Sequence, residues 1–335
     1  MKKKKKLVSV EICAGAGGQA LGLELAGFDH LRVIEIEPIF CETLKLNRPE
    51  WSVEKADVNH MSGFQYRGKV DLFAGGVPCP PFSLAGKQLG ADDERDLFPA
   101  ALRIVEEMRP RAVMIENVRG LLSAKFSDYR QQILDRLSEL GYEGEWKLFN
   151  SKNFGVPQAR QRSILVAFRD GGFENFTWPE GNSEEVTVGD ALHDLMASNG
   201  WKGADKWRLE ANTVAPALVG GSKKHGGADL GPTRAKEAWA KMGVDGKGVA
   251  DEIPSANHEG MPKLTVRMAA RIQGFPDSWQ FAGRKTASYK QIGNAFPPPV
   301  AQAIGVAIAD ALEVTPDTES RDYKAPNPKK EPVHA

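Results

Sequence analysis

Three cysteines in 335 residues, Cys13, Cys41 and Cys79, are too few and too scattered for a disulfide framework or a zinc knuckle. A reducing cytoplasm suits such a chain, because a lone thiol stays a thiol there. Uninterrupted apolar sequence is also scarce: no run approaches the ~18 residues that suggest a membrane span. The five lysines from Lys2 to Lys6 precede an apolar stretch that Glu11 soon breaks, so they read as a solvated tail and not as a secretory signal. Net charge is absent too, with 44 basic residues against 44 acidic. That balance gives a nucleic-acid role no support by itself, although it is silent about local patches. Ser151 to Arg169 carries Lys152, Arg160, Arg162 and Arg169 with no acid until Asp170, and Ala211 to Ala228 carries Lys223 and Lys224. Both stretches fit a concentrated basic surface or ordinary solvated sequence. His225 has no cysteine or histidine neighbour, so no metal site is expected.

What the sequence does contain is strand–helix alternation. Leu7 to Ile12 is β-prone and runs into Ala14-Gly15-Ala16-Gly17-Gly18, and Leu21, Leu23, Leu25 and Ala26 follow at helical spacing. Leu31 to Ile36 is a second strand candidate ending in acids, with Glu35 as the candidate ribose ligand. Strand, glycine turn, helix, strand, acid is the layout of a nucleotide-binding unit, and it fits NAD and S-adenosylmethionine equally. Val70 to Ala74, Ala112 to Ile115 and Ser163 to Phe168 read as further buried strands, so a mostly parallel sheet covered by helices on both faces is expected. After Trp178 the alternation stops. Residues 1–178 read as a catalytic and cofactor-binding domain, 179–264 as a smaller irregular insertion and 265–289 as a hinge. Residues 290–313 read as a helix returning to the first domain, and 314–335 as a disordered tail.

Cys79 lies just past a strand, between Pro78 and Pro80-Pro81. Such a place is the carboxyl edge of the sheet, where ligands bind in open α/β folds, and the prolines stiffen the backbone that carries the thiol. A lone cysteine is more often a core residue, but core positions rarely need flanking prolines. Glu116-Asn117-Val118 follows the next strand and brings a carboxyl group to the same edge. Glu116 suits proton donation to a heterocycle there, or merely a helix start.

Taken in order, these segments carry a resemblance. Glu11-Ile-Cys-Ala-Gly-Ala-Gly-Gly, Gly76-Val-Pro-Cys-Pro-Pro-Phe-Ser, Glu116-Asn-Val, Gln158-Ala-Arg-Gln-Arg, Arg271-Ile-Gln-Gly-Phe-Pro and Gln291-Ile-Gly-Asn-Ala resemble the C5-cytosine DNA methyltransferases from about Leu7 to Leu312, leaving out Glu180 to Gly260. The resemblance implies an α/β, Rossmann-like S-adenosylmethionine-dependent methyltransferase sheet with an inserted target-recognition domain. It implies Cys79 as the nucleophile on cytosine C6, Glu116 as the donor to N3, and Arg160 and Arg162 as contacts to the base and its adduct. The base would be flipped from duplex DNA and covered by the loop Ser83 to Asp96. Cys13, Gly15, Gly17, Gly18, Glu35, Ile36, Asp57, Pro78 and Asn294 would form the cofactor pocket, with Ile36 on the adenine ring and Asp57 near its amino group. Ser83, Lys87, Gln88, Lys223, Lys224 and Arg267 are the expected DNA contacts, with Val219 to Gly227 as a flexible basic loop. The resemblance further implies the modification half of a restriction–modification system, a cognate endonuclease acting separately, no membrane, and a monomer.

The chain departs from the family where Glu11-Ile12-Cys13 replaces the usual Asp-Leu-Phe, which removes an aromatic ring from the adenine site. Met268 stands where a glutamate commonly follows the arginine matched by Arg267. A tRNA cytosine-5 methyltransferase of the same fold would use the same Cys79 and Glu116, and a silent DNA-binding relative would need neither. An NAD-dependent oxidoreductase would explain the glycine turn but not Pro78-Cys79.

Overall fold

The computed structural model describes residues 6–78, 96–181, 184–221 and 229–315. Cys79, Ser83, Lys87, Gln88, Lys223, Lys224, the expected covering loop up to Arg95 and the tail from 316 onward lie outside the described residues.

The first half alternates as the sequence suggests. In order come β1 (Leu7–Ile12), α1 (Gly18–Leu25), β2 (Phe28–Glu35), α2 (Pro38–Asn47), β3 (Val53–Lys55) and β4 (Leu72–Gly76). These are followed by α3 (Phe98–Met108), β5 (Ala112–Val118), α4 (Ser127–Glu139), β6 (Tyr142–Asn150), β7 (Gln158–Ala159) and β8 (Gln161–Arg169). Seven strands form one sheet in the order β3-β2-β1-β4-β5-β8-β6. The pairs from β3 to β5 are parallel, and β8 runs antiparallel to both β5 and β6. The order turns back between β1 and β4, and the crevice outside the carboxyl ends of those strands is where open α/β sheets bind ligands.

Alternation along each strand sorts side chains onto two faces. Leu72, Ala74, Ala112, Met114, Ile164, Val166 and Phe168 pack on one face with Val300, Ile304 and Ile308. Phe73, Val113, Ile115, Leu165 and Ala167 pack on the other with Ile104, Val105, Ile133 and Leu137 of α3 and α4. β6 is not evident from the sequence because it is an edge strand whose Glu143, Glu145 and Lys147 interrupt its apolar pattern. Charges of this kind keep an exposed edge from pairing with another chain.

The sequence after Trp178 holds more regular structure than its texture suggests. It forms α5 (Val188–Ala197), α6 (Ala204–Glu210), β9 (Ala215–Pro216), α7 (Thr233–Lys241) and α8 (Val266–Ile272). Trp207, Trp239 and Trp279 are each at most 3% exposed and centre a third apolar cluster with Leu192, Met196, Met268 and Ile272. Isolated tryptophans in polar sequence are thus the anchors of these short helices. The single helix expected over 290–313 is instead two, α9 (Lys285–Asn294) and α10 (Pro298–Val314), because Pro297 and Pro298 start a new helix. This stretch is the one segment among the described residues apolar and long enough to cross a membrane, yet 67% of its most apolar window is buried against the rest of the chain.

α1 and α10 approach closely because glycines face the contact. A Cβ at Gly18 would stand 2.0 Å from the Phe296 carbonyl oxygen, and one at Gly22 2.5 Å from the Ala301 Cβ.

Candidate active site

The turn after β1 needs backbone that most residues avoid. Cys13, Gly15 and Gly17 all have positive φ, at 51°, 55° and 87°. Glycine takes this conformation freely, whereas Cys13 is a rare non-glycine case. The turn leads into α1, whose first N–H groups point back toward it. Gly17 is also pressed against Leu44 and Trp279, where a Cβ would come within 2.7 Å of Leu44 Cδ2. Gly17 and Gly18 are thus required by packing, and Gly15 lines the crevice itself.

Glu35 ends β2 and is buried. One carboxylate oxygen accepts the Gly15 N–H at 2.7 Å, and the other accepts those of Ile36 and Glu37 at 2.8 and 2.9 Å. Burial raises its pKa, and these three N–H groups hold the rise in check. Ile36 is 53% exposed beside it, free to lie against a flat ligand. Asp57 caps a short 3-10 turn by accepting the Asn59 N–H at 2.9 Å. Asn294 is exposed at the crevice mouth.

The polar ends of β1, β4, β5 and β8 meet on the sheet face that carries Leu72 and Met114 lower down. Gly76 pairs with Glu116 across β4 and β5, and Val118 pairs with Arg162 across β5 and β8. With no side chain at Gly76, the Glu116 carboxylate occupies that space; a Cβ there would lie 3.3 Å from Glu116 Oε2. Arg162 sits diagonally from Glu116 and closes an ion pair, Nε to Oε1, at 2.6 Å. Burial pushes the Glu116 carboxyl up, and the charges of Arg162 and Arg160 pull it part of the way back. On the opposite face, Asn117 Nδ2 donates to the Val77 carbonyl at 2.8 Å. That bond ties β5 to the backbone immediately before exposed Pro78, the last described residue before Cys79.

One cavity joins these parts. Glu11, Cys13, Gly15, Gln19, Phe40, Gly76, Glu116 and Asn294 are among the residues that line it. Glu11 is fully buried, Gln19 is 4% exposed, and neither the carboxylate oxygens of the first nor the amide atoms of the second have a hydrogen-bond partner. Burial, reinforced by the nearby charge of Glu35, drives the Glu11 carboxyl well above the usual range. Unpaired buried polar groups of this kind are expensive, and they fit a ligand that brings its own cation and hydrogen-bonding groups. Gln19 does not stand out in the sequence; its signal is a polar residue in the first turn of a helix that follows a glycine turn.

Two arginines are held by main-chain carbonyls. Arg160 is 3% exposed and donates to the Leu218 carbonyl at 2.7 Å and the Gly293 carbonyl at 2.8 Å, so its guanidinium braces the fold while its charge acts on Glu116. Burial lowers its pKa well below the usual arginine value. Arg267 donates to the Pro276 and Trp279 carbonyls at 3.2 and 2.8 Å. Its neighbour Met268 is buried, with its N–H bonded to Thr265 Oγ1 at the start of α8. The basic run from 151 to 169 makes no free positive patch either: Lys152 pairs with Glu185, Arg162 with Glu116 and Arg169 with Asp170.

The chain matches the family model described as C-5 cytosine-specific DNA methylase over residues 7–310. It is 55% identical over 319 residues to the type II methyltransferase M.NaeI of Lentzea aerocolonigenes, covering 93% of this chain and 76% of that protein. It is 54% identical over 312 residues to the type II methyltransferase M.NgoMIV of Neisseria gonorrhoeae, covering 92% and 99%. Among solved structures, the methyltransferase EhMeth of Entamoeba histolytica superposes with a TM-score of 0.63 at 16% identity, covering 92% of this chain and 99% of that one. A DNMT2 variant of Spodoptera frugiperda gives 0.61 at 17% identity, covering 91% and 99%. These last two show the shared fold. With the family model matched from β1 into α10 and two relatives above half identity, the chain belongs to the C-5 cytosine-specific DNA methylases.

Proposed function

We propose that this DNA (cytosine-5-)-methyltransferase is the modification enzyme of a type II restriction–modification system, and that it works through Cys79, Glu116 and Arg162. The kind of protein is that of its relatives M.NaeI and M.NgoMIV. The observation that carries the residue assignment is the single cavity in which Glu116 meets Glu11, Gln19 and the glycine turn.

In this reading the Cys79 thiolate adds to C6 of a cytosine turned out of duplex DNA. Glu116 supplies a proton or hydrogen bond to N3, so that the charge entering the ring is held there. Burial favours the protonated form of Glu116 for that step, while Arg162 fixes its orientation and stabilises its carboxylate afterwards. The C5=C6 double bond opens and C5 becomes nucleophilic. S-adenosylmethionine, when bound, supplies the methyl group as an electrophile on sulfur. Loss of the C5 proton then re-forms the double bond and expels Cys79. Asn117 positions the segment that carries Cys79 through Val77.

Glu35 would hold the ribose hydroxyls of the cofactor, Ile36 and Asp57 its adenine, and Glu11 with Gln19 its amino-acid end. The unpaired carboxylate and carboxamide match an ammonium and a carboxylate, which is why this cavity suits S-adenosylmethionine better than a dinucleotide. Arg160 is assigned a bracing role. Target recognition is assigned to the sequence after Trp178, including Lys223 and Lys224, and the enzyme to the cytoplasm.

Bisulfite sequencing of DNA from cells expressing the chain tests this reading. The expected result is protection of one cytosine in one recurrent sequence. Methyl transfer to RNA but not to duplex DNA would overturn it.

A further inference from the structure

The cofactor cavity has one small wall and one large, uncommitted one. Cys13, half-buried in its strained turn, offers only a sulfur beyond Cβ. Burial and the carboxylates of Glu35, Glu11 and Asp57 keep that thiol protonated, so it acts as a small neutral group. The same cavity is walled by Phe40, from the first turn of α2. That turn is held firmly. The Phe40 N–H donates to the Glu37 carbonyl at 3.0 Å, the Glu37 N–H donates to Glu35, and the adjacent Cys41 is buried.

The ring itself is only half-buried and belongs to none of the three apolar clusters that hold the fold. Phe296, the other ring on this cavity, is 6% exposed and is packed into the core beneath α10. A large apolar side chain on a rigid turn, facing a cavity and packed on no core, gains its burial from whatever fills the cavity.

We propose that Phe40 is the aromatic wall of the cofactor pocket. Its ring packs on the bound methyl donor from the side of α2 and supplies the aromatic surface that Cys13, standing where the family usually has phenylalanine, does not. The proposal rests on the cavity being the S-adenosylmethionine site. Its physical content is a shared volume: the Phe40 ring and the Cys13 thiol line one pocket, so enlarging the second while the first is kept crowds the ligand.

Calorimetric binding of S-adenosylmethionine and of S-adenosylhomocysteine to the full-length protein, without DNA, tests it. The set is wild type, Phe40→Ala, Cys13→Phe and the double variant. Phe40→Ala is expected to weaken both ligands about tenfold, the scale of one aromatic packing partner. Cys13→Phe alone weakens them too, because two rings then compete for one volume. The double variant recovers to within about threefold of wild type, the non-additivity expected of residues that share a space. In turnover, Phe40→Ala raises KM for the methyl donor and leaves kcat nearly unchanged. Wild-type affinity in Phe40→Ala, or losses that simply add in the double variant, would overturn the proposal. Absence of binding to the wild type would overturn the pocket assignment with it, and so separates the two failures.

Discussion

Two carboxyl groups on one sheet face, Glu11 fully buried and Glu116 mostly so, are both pushed up by desolvation, and their neighbours decide what each does. Glu116 has Arg162 at 2.6 Å, so its proton is held but releasable. Replacing it with glutamine is expected to lower kcat by about 10²–10⁴, the usual worth of a positioned acid. The wild-type rate falls as pH rises through the raised Glu116 pKa, because the protonated form is the working one, and Glu116→Gln abolishes that falling limb in a pH–rate profile. Cys79→Ser should abolish methyl transfer while leaving cofactor affinity intact, measured by labelled-methyl transfer beside calorimetry; near-parental turnover would refute the nucleophile. Glu11 has no countercharge, only the Ala20 N–H nearby, and behaves differently. Its folded-state pKa lies above the unfolded one, so the proton it retains stabilises the fold at acid pH. That contribution disappears as pH rises through the folded value. Glu11→Gln should therefore raise stability at pH 8 by more than about 1 kcal/mol and change little below about pH 4, where both states are protonated. Urea unfolding at the two pH values reads this directly, and an equal effect at both would refute it. The same variant should bind cofactor more weakly, stability and affinity moving in opposite directions. Cys79, Glu116 and Glu35 are legible as chemistry in the sequence because each stands at or just past the carboxyl end of an apolar run. Gln19 and Asn117 are not, since a buried amide declares its role only through the partner it has or lacks.

At the scale of elements, α1 depends on glycine where it meets α10 and the residues just before it. Gly18→Ala would drive a methyl group into the Phe296 carbonyl and should cost about 1–3 kcal/mol, as overpacking does. Gly120→Ala, with nothing within 4 Å and no positive φ, should be nearly neutral, so thermal unfolding of the pair separates steric from propensity effects. The strands β1, β4, β5 and β8 can be read from the sequence because they lie inside the sheet, covered on both faces, and so are largely apolar runs. β6 and the helices from Val188 to Lys241 cannot. α7, with the sequence Thr-Arg-Ala-Lys-Glu-Ala-Trp-Ala-Lys, buries only Trp239 and is otherwise polar, so its periodicity has almost no amplitude. The break is written in the sequence as Pro297-Pro298-Pro299, and the apolar stripe lies on α10 alone, whereas α9 buries Ser288, Gln291 and Gly293 beside Tyr289 and Ile292.

Across the whole molecule, two polar side chains, one on β7 and one immediately after it, help tie the first half of the chain to the later segments, beside the parallel pairing of β7 with β9. Gln158, fully buried, donates to the Ile272 carbonyl at 3.1 Å and to Gln273 Oε1 at 2.7 Å, and accepts the Leu218 N–H at 2.8 Å. Arg160 donates to the Leu218 and Gly293 carbonyls. Gln158→Ala strands those partners without hydrogen bonds and should destabilise the protein by about 2–4 kcal/mol. Amide exchange should accelerate at Leu218 more than in β1 or β4, and a uniform acceleration would argue against a local junction. Nearly all of these bonds end on main-chain atoms, which every residue possesses. These bonds therefore leave the side chains of Leu218 and Ile272 to the apolar cluster that seats the later helices, so polar anchoring and packing use different atoms of the same residues.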